Sequence, residues 1–233
     1  MCNNSNLRFK NIKKKIEVKM NEIVEELNTS ELGTKQFWEQ RYIEEIENFN
    51  KFGDPGEIWF GEDSAERVIN WIVCSNIKES KILDIGCGNG MFLIELAREG
   101  FTNLFGTDYS QNAINLAKAI AHKQDFSWIN YCVKDILAEE FNHTFDIIHD
   151  KGTYDAICLN ENPKDAREKY TNIILKSLNK DGYFIITSCN WTKDELNMQF
   201  KSKFTPVEII PTPQFKFGGK VGHLVTTVIY KTI

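Results

Sequence analysis

Two short strings hold most of the residues in this chain that could do chemistry. The first is Lys81-Ile82-Leu83-Asp84-Ile85-Gly86-Cys87-Gly88-Asn89-Gly90, in which three alternate glycines follow an apolar run. Glycines so spaced let a ligand approach the backbone, with the N–H groups of a following helix aimed at it. The spacing rules out one common nucleotide site and weakens another. A phosphate-binding loop needs Gly-Lys-Ser/Thr, which is absent, and a dinucleotide loop needs its third glycine where Met91 stands. The second string is Asp150-Lys151-Gly152-Thr153-Tyr154-Asp155, which follows the apolar run Phe145–His149. Two further acids end apolar runs: Asp108, within Gly106-Thr107-Asp108-Tyr109-Ser110, and Asp135, before Ile136. The cysteines Cys2, Cys74, Cys87, Cys132, Cys158 and Cys189 show no C-x-x-C, and the four histidines have no metal spacing. Free thiols and no metal are expected.

The elements that must position these residues alternate. Apolar strands are legible at Lys81–Ile85, Leu104–Thr107, Trp128–Val133, Phe145–His149 and Tyr183–Ser188, with helical patterns at Met91–Glu99, Gln111–His122 and Asp165–Leu178 between most of them. Such alternation implies parallel pairing with right-handed crossovers. Val207–Ile210 and His223–Tyr230 add two strands joined by a Gly/Pro-rich loop, an antiparallel hairpin at a sheet edge. The fold is therefore a doubly wound α/β sandwich with an antiparallel C-terminal hairpin. Two helices precede the first strand. One covers Thr34–Lys51; the other starts at Asp63, an N-cap acid with Glu66 three residues on. Thr192 and Glu195 form a second capping box.

With 233 residues, 42% hydrophobic and 26% charged, the chain is long enough for one large domain and not disordered throughout. Residues 1–28 differ from the rest. They are rich in Asn and Lys, with Ile12, Ile16, Met20, Ile23, Val24 and Leu27 at helical spacing, and read as an N-terminal extension, flexible or helical. A net charge of -5 argues against a general nucleic-acid grip. No apolar run approaches the ~18–20 residues of a membrane span, and no secretory signal follows the basic N-terminus. A cytoplasmic protein without direct nucleic-acid or membrane contact is expected. No strong coiled-coil repeat demands a dimer, so a monomer is expected too.

The string Leu83–Gly90 resembles the first motif of the S-adenosylmethionine-dependent methyltransferases with the seven-stranded, Rossmann-like fold. The resemblance covers about Glu31–Ile233, so residues 29–233 are read as the methyltransferase domain. It implies S-adenosyl-L-methionine as cofactor, with S-adenosyl-L-homocysteine as product. It also implies a cofactor site at Asp84, Gly86, Cys87, Gly88, Asn89, Gly90, Asp108, Tyr109, Ser110, Asp135, Ile136 and Asp150. Asp108 would hold the ribose, and Asp135 the adenine amino group. Trp38, Tyr42, Trp59 and Phe60 lie in segments that would cap the pocket, where a sulfonium favours aromatic faces.

The acceptor is narrowed by the second string. Asn-Pro-Pro-Tyr, carried there by many relatives that methylate amides or nucleobase amines, is absent. Asp150–Asp155 instead resembles the lysine methyltransferases that act on translation elongation factor 1-alpha. So do Leu32-Gly33-Thr34-Lys35 with Trp38, Gly56–Glu62, Ile186–Thr192, and Pro211-Thr212-Pro213 with Phe215–Gly219. The resemblance implies a protein-lysine N-methyltransferase whose partner is elongation factor 1-alpha. For a lysine acceptor, Asp150 is expected to recruit and orient the lysine or to shape the cofactor pocket, with Tyr154 and Trp191 flanking the amine and Asn190 orienting it. Phe215, Lys216, Phe217 and Lys220 are candidates for recognising the protein substrate. Transfer to another protein or a small molecule, cofactor binding without catalysis, and nicotinamide oxidoreduction are the competing readings.

Overall fold

Apolar runs without alternation are the mark of strands covered on both faces. In chain order the elements are α1 (Lys35–Phe52), α2 (Glu62–Cys74), β1 (Ile82–Ile85), α3 (Met91–Arg98), β2 (Leu104–Asp108) and α4 (Gln111–Lys123). They continue with β3 (Asn130–Val133), β4 (Phe145–Lys151), α5 (Thr153–Cys158), α6 (Pro163–Ser177), β5 (Leu178–Ser188) and α7 (Lys193–Phe200). The chain ends with β6 (Phe204–Ile210), β7 (Gln214–Phe217), β8 (Lys220–His223) and β9 (Thr226–Thr232). This computed structural model describes residues 26–75, 78–217, 220–223 and 225–233, with backbone alone over 214–217 and 220–223.

Seven strands form one sheet in the order β3-β2-β1-β4-β5-β9-β6. β1 to β5 run parallel, and β9 is antiparallel to both β5 and β6. The edge strand β6 carries Pro206 beside a register shift, a place where a missing N–H is tolerated. One face of the sheet is covered by α1 to α4, through residues such as Val68, Ile72, Leu93 and Ile114. The other is covered by α5 to α7, over an aromatic cluster of Tyr170, Phe184, Phe200, Phe204 and Tyr230. Each of these large side chains contributes roughly 1.5–3 kcal/mol by leaving water.

Several local expectations change. α2 begins one residue before the expected N-cap, Asp63: Gly61, at φ 79°, takes the cap position without a side-chain bond. A positive φ that glycine alone adopts readily turns the chain there, so Asp63 falls inside the first turn, where it favours the helix dipole. The capping box at Thr192 and Glu195 is present. The short helix α5 has no counterpart in the sequence pattern. β6 and β9 pair as expected, but their connecting loop holds a separate two-stranded sheet of β7 and β8. The side chains of Phe215, Lys216, Phe217 and Lys220, expected to face a protein substrate, lie outside the described residues, as do residues 1–25. Glu26 and Leu27, assigned above to the extension, are already docked. Arg167 donates to both Glu26 oxygens at 2.6 and 2.8 Å, and Leu27 packs against the second core.

Candidate active site

β1 is flanked by β2 on one side and by β4 on the other, so the connections leaving the two central strands diverge. Such a reversal opens a crevice beyond the carboxyl ends of the strands. A cavity of about 640 Å³ occupies it.

The glycine string forms its floor. Gly86 and Gly88 have φ of 62° and 53°, and both face close protein neighbours. A Cβ on Gly86 would stand 1.9 Å from Thr153 Oγ1, and one on Gly88 would stand 2.7 Å from the Tyr42 hydroxyl. These glycines therefore make room for the protein's own side chains as well as for a ligand. Gly90 caps α3 and packs beneath Tyr131 and Ala117, away from the cavity. Ser110 is likewise set back: it is fully buried and caps α4.

Asp108 lines the cavity and accepts from Gly88 N at 3.1 Å and Ser110 N at 2.9 Å. Burial pushes its pKa up to about 6, against the pull of those two N–H groups. Asp84 accepts from or shares a proton with His149 Nδ1 at 2.7 Å, and that imidazole stacks on Phe92 with ring centres 3.7 Å apart. Cys87 is buried, and desolvation raises its thiol well above the usual range. Asp135, Ile136 and Tyr109 complete this side of the lining.

The N-terminal segments form the roof. Trp38 donates its indole N–H to Leu32 O at 2.8 Å and meets Trp59 edge-on, with ring centres 5.0 Å apart. Tyr42 stacks beside Trp38. Asn89 donates to Pro55 O at 3.1 Å and to Glu57 O at 3.4 Å, tying the 53–61 loop to the glycine string. Trp38, Tyr42 and Trp59 all line the cavity.

The acceptor wall departs most from expectation. Asp150 is fully buried and lies outside the lining; it accepts from Thr153 N at 3.0 Å, Tyr154 N at 3.1 Å and Tyr170 OH at 2.6 Å. Burial pushes its pKa up to about 7, opposed by the Tyr170 and Tyr154 bonds. Successive strand residues point to opposite faces. His149 and Lys151 turn toward the cavity side, and Asp150 turns into the second core, where it holds the first turn of α5. Tyr154 is 1% exposed, packed by Tyr170 and Phe200, with its hydroxyl donating to Gln199 Oε1 at 2.5 Å. Trp191 is buried in the same core. Neither ring flanks the cavity.

Asn190 does line the cavity. It sits on a turn organised by Asp155, whose oxygens accept from Ser188 Oγ at 2.5 Å and Cys189 N at 2.8 Å. Ser188 Oγ in turn accepts from Asn190 N and Trp191 N at 3.2 and 3.0 Å. Asp155 and Lys151 line the cavity and were missed as site residues, although both stand in the string that drew attention. Burial raises Asp155 and lowers Lys151 from their ordinary pKa values.

Fold and site define a methyltransferase of the seven-stranded, Rossmann-like class. A family profile described as "Methyltransferase domain" matches residues 76–230. The N-methyltransferase NodS of Bradyrhizobium japonicum, solved with S-adenosyl-L-homocysteine, shares the fold. The TM-score is 0.62 at 18% identity, over 84% of this chain and 98% of that one. This chain is 47% identical over 210 residues to the EEF1A lysine methyltransferase 2 of Danio rerio, covering 89% of this chain and 90% of that protein. It is 44% identical over 205 residues to the EEF1A lysine methyltransferase 2 of Homo sapiens, covering 87% of each. The chain belongs to the EEF1A lysine methyltransferase 2 family.

The cavity fits S-adenosyl-L-methionine on its own chemistry. The ligand carries no phosphate, and the floor has no phosphate loop. Its ribose diol suits the Asp108 carboxylate, and its two positive centres suit a lining that includes Asp84, Asp108, Asp135 and Asp155 under an aromatic roof.

Proposed function

We propose that this enzyme transfers a methyl group from S-adenosyl-L-methionine to the side-chain amine of a lysine in translation elongation factor EEF1A. The observation that carries the reading is the 47% identity across nine-tenths of both chains with a relative named for that activity. A cytoplasmic, monomeric enzyme working without nucleic acid or membrane belongs to the same proposal. A net charge of -5 supports its nucleic-acid part; among the described residues no helix is long and apolar enough to cross a membrane.

The bound cofactor supplies an electrophilic methyl on a positively charged sulfur. Everything else falls to the chain. In this reading Asp108 accepts the ribose hydroxyls and Asp135 with Ile136 holds the adenine. The Gly86–Asn89 backbone and the α3 N-terminus receive the methionyl end. Trp38, Tyr42 and Trp59 keep water from the reacting centre. A lysine acceptor must arrive neutral, and an unperturbed lysine with pKa ~10.4 costs about 4.6 kcal/mol to deprotonate at pH 7. The aromatic roof and the cofactor's charge reduce that cost by disfavouring the ammonium. Asn190 orients the amine, and Asp155 holds the Asn190 turn. Asp150 acts one layer back, as the anchor of the α5 turn beneath Gly86.

The test is transfer of labelled methyl to purified EEF1A, with the product peptide mapped by mass spectrometry. One methylated lysine, lost with Asp108→Ala, is the expected result. Tight cofactor binding without transfer would reject EEF1A as the acceptor and point to another protein or a small molecule.

A further inference from the structure

The cavity is rich in carboxylates and poor in cations. Its lining among the described residues includes two lysines, Lys134 and Lys151, and no arginine. Lys134 is already engaged: its Nζ stands 3.5 Å from the Glu139 carboxylate and donates to Glu140 O at 3.1 Å. Lys151 is not. Its Nζ donates to Trp59 O at 2.9 Å and lies 5.8 Å from the centre of the Phe60 ring. No carboxylate of the described residues forms an ion pair with it. The Asp84 and Asp150 carboxylates favour this ammonium from beyond ion-pair distance, but withdrawal from water outweighs them, so the lysine's pKa is lowered, chiefly by burial. A cation kept in this state within a ligand cavity is matched by an anion that arrives with the ligand.

S-adenosyl-L-methionine carries one anionic group, the carboxylate of its methionyl end. Lys151 closes β4, next to the Gly86 turn that closes β1. Asp108 and Asp135 stand at the ends of β2 and β3, toward the other side of the crevice. A cofactor laid with its adenosine over those two acids brings its methionyl end to β1 and β4. We propose that Lys151 is the counter-ion of the cofactor's methionyl carboxylate and thereby fixes which end of the cofactor lies beneath Trp59 and Phe60. This role rests on the methyltransferase reading of the cavity. A second consequence follows from the bond to Trp59 O. The same ammonium holds the 53–61 loop through Trp59 O, so cofactor binding and the placement of that loop would share one group.

Calorimetric titration of the full-length chain, without protein acceptor, tests the role with two ligands. One is S-adenosyl-L-methionine; the other is its decarboxylated form, which keeps the sulfonium, the amine and the adenosine. The wild type is expected to prefer the intact cofactor by about tenfold or more, the scale of one charge-assisted bond. Lys151→Met, which keeps the stem, should remove most of that preference by weakening the intact cofactor while leaving the decarboxylated form within about twofold; the α3 N-terminus keeps the remainder. Lys151→Arg should restore the preference, which a merely structural role would not require. Lys151→Gln serves if the Met variant does not fold. Equal binding of both ligands by the wild type would overturn the proposal whatever the variants do. So would equal weakening of both in Lys151→Met. Failure of the wild type to bind either ligand would instead reject the cofactor reading of the cavity.

Discussion

The Glu39 carboxylate of α1 accepts the Ser110 hydroxyl of the α4 N-cap at 2.9 Å. The same oxygen takes Asn112 Nδ2 at 2.7 Å, and the other takes Gln111 N at 3.3 Å. Three donors from one helix start thus fasten the helix that carries Trp38 and Tyr42 over the cavity. Glu39→Ala should destabilise the protein by roughly 1–3 kcal/mol, through unsatisfied donors at the α4 start. It should also weaken S-adenosyl-L-homocysteine binding several-fold. Urea unfolding and calorimetry measure the two effects, and unchanged ligand affinity would separate the α1 attachment from cofactor retention.

If Asp108 holds the ribose as proposed, cofactor binding depends on pH. Hydroxyl donors favour its ionised form, and burial places its pKa at about 6. Affinity for S-adenosyl-L-homocysteine should therefore rise as pH increases through about 6 and level off above it. Asp108→Asn should bind at least tenfold more weakly at pH 7.5, the scale of charge-assisted bonds, and lose that rise. A wild-type affinity flat from pH 5 to 7 would count against the ribose assignment.

Asp150 gives stability the opposite trend. Its folded-state pKa, about 7, lies above the ordinary carboxylate value of 3.8. Between those values the native state holds a proton that the unfolded chain has released, so raising the pH through this window removes stability. Each unit of raised pKa corresponds to about 1.4 kcal/mol. Asp150→Asn retains an acceptor for the α5 turn and has no charge to bury. Its urea midpoint should fall less than the wild type's between pH 4 and 7, and parallel curves would refute the raised pKa.

Tyr154 and Asp155 are neighbours with different consequences. Tyr154→Phe loses the bond to Gln199 in the core, so stability should drop by about 1 kcal/mol with kcat and KM unchanged. Asp155→Asn frees the Ser188–Trp191 turn that presents Asn190. Its KM for the protein acceptor should rise several-fold, with S-adenosyl-L-homocysteine affinity retained. Steady-state kinetics on both variants distinguishes the two. A kcat collapse in Tyr154→Phe would return that ring to the acceptor site.

Much of the cofactor half of the site was legible because its signals are local. A glycine string between a strand and a helix, and acids at strand ends, place their groups at one edge of any parallel sheet. The roof was legible in part: Trp59 between glycines marked it, whereas the capping of α2 by Gly61 rather than Asp63 depended on a backbone angle. The two-stranded insert between β6 and β9 carried too few apolar residues to stand out.

The acceptor half was decided by tertiary structure. Strand alternation alone puts Asp150 and Lys151 of β4 on opposite faces. The chain by itself does not say which face meets the cavity, because that depends on β4 lying against β1 rather than β3 and on α5 starting directly after Gly152. Once those neighbours are set, Lys151 reaches the roof at Trp59, while Asp150 and Tyr154 turn into the aromatic core with Tyr170. The sequence by itself determined the fold class, the strand-end acids and the glycine floor, all products of spacing within a few residues. Only the packing of distant elements settled which members of a six-residue string line the cavity.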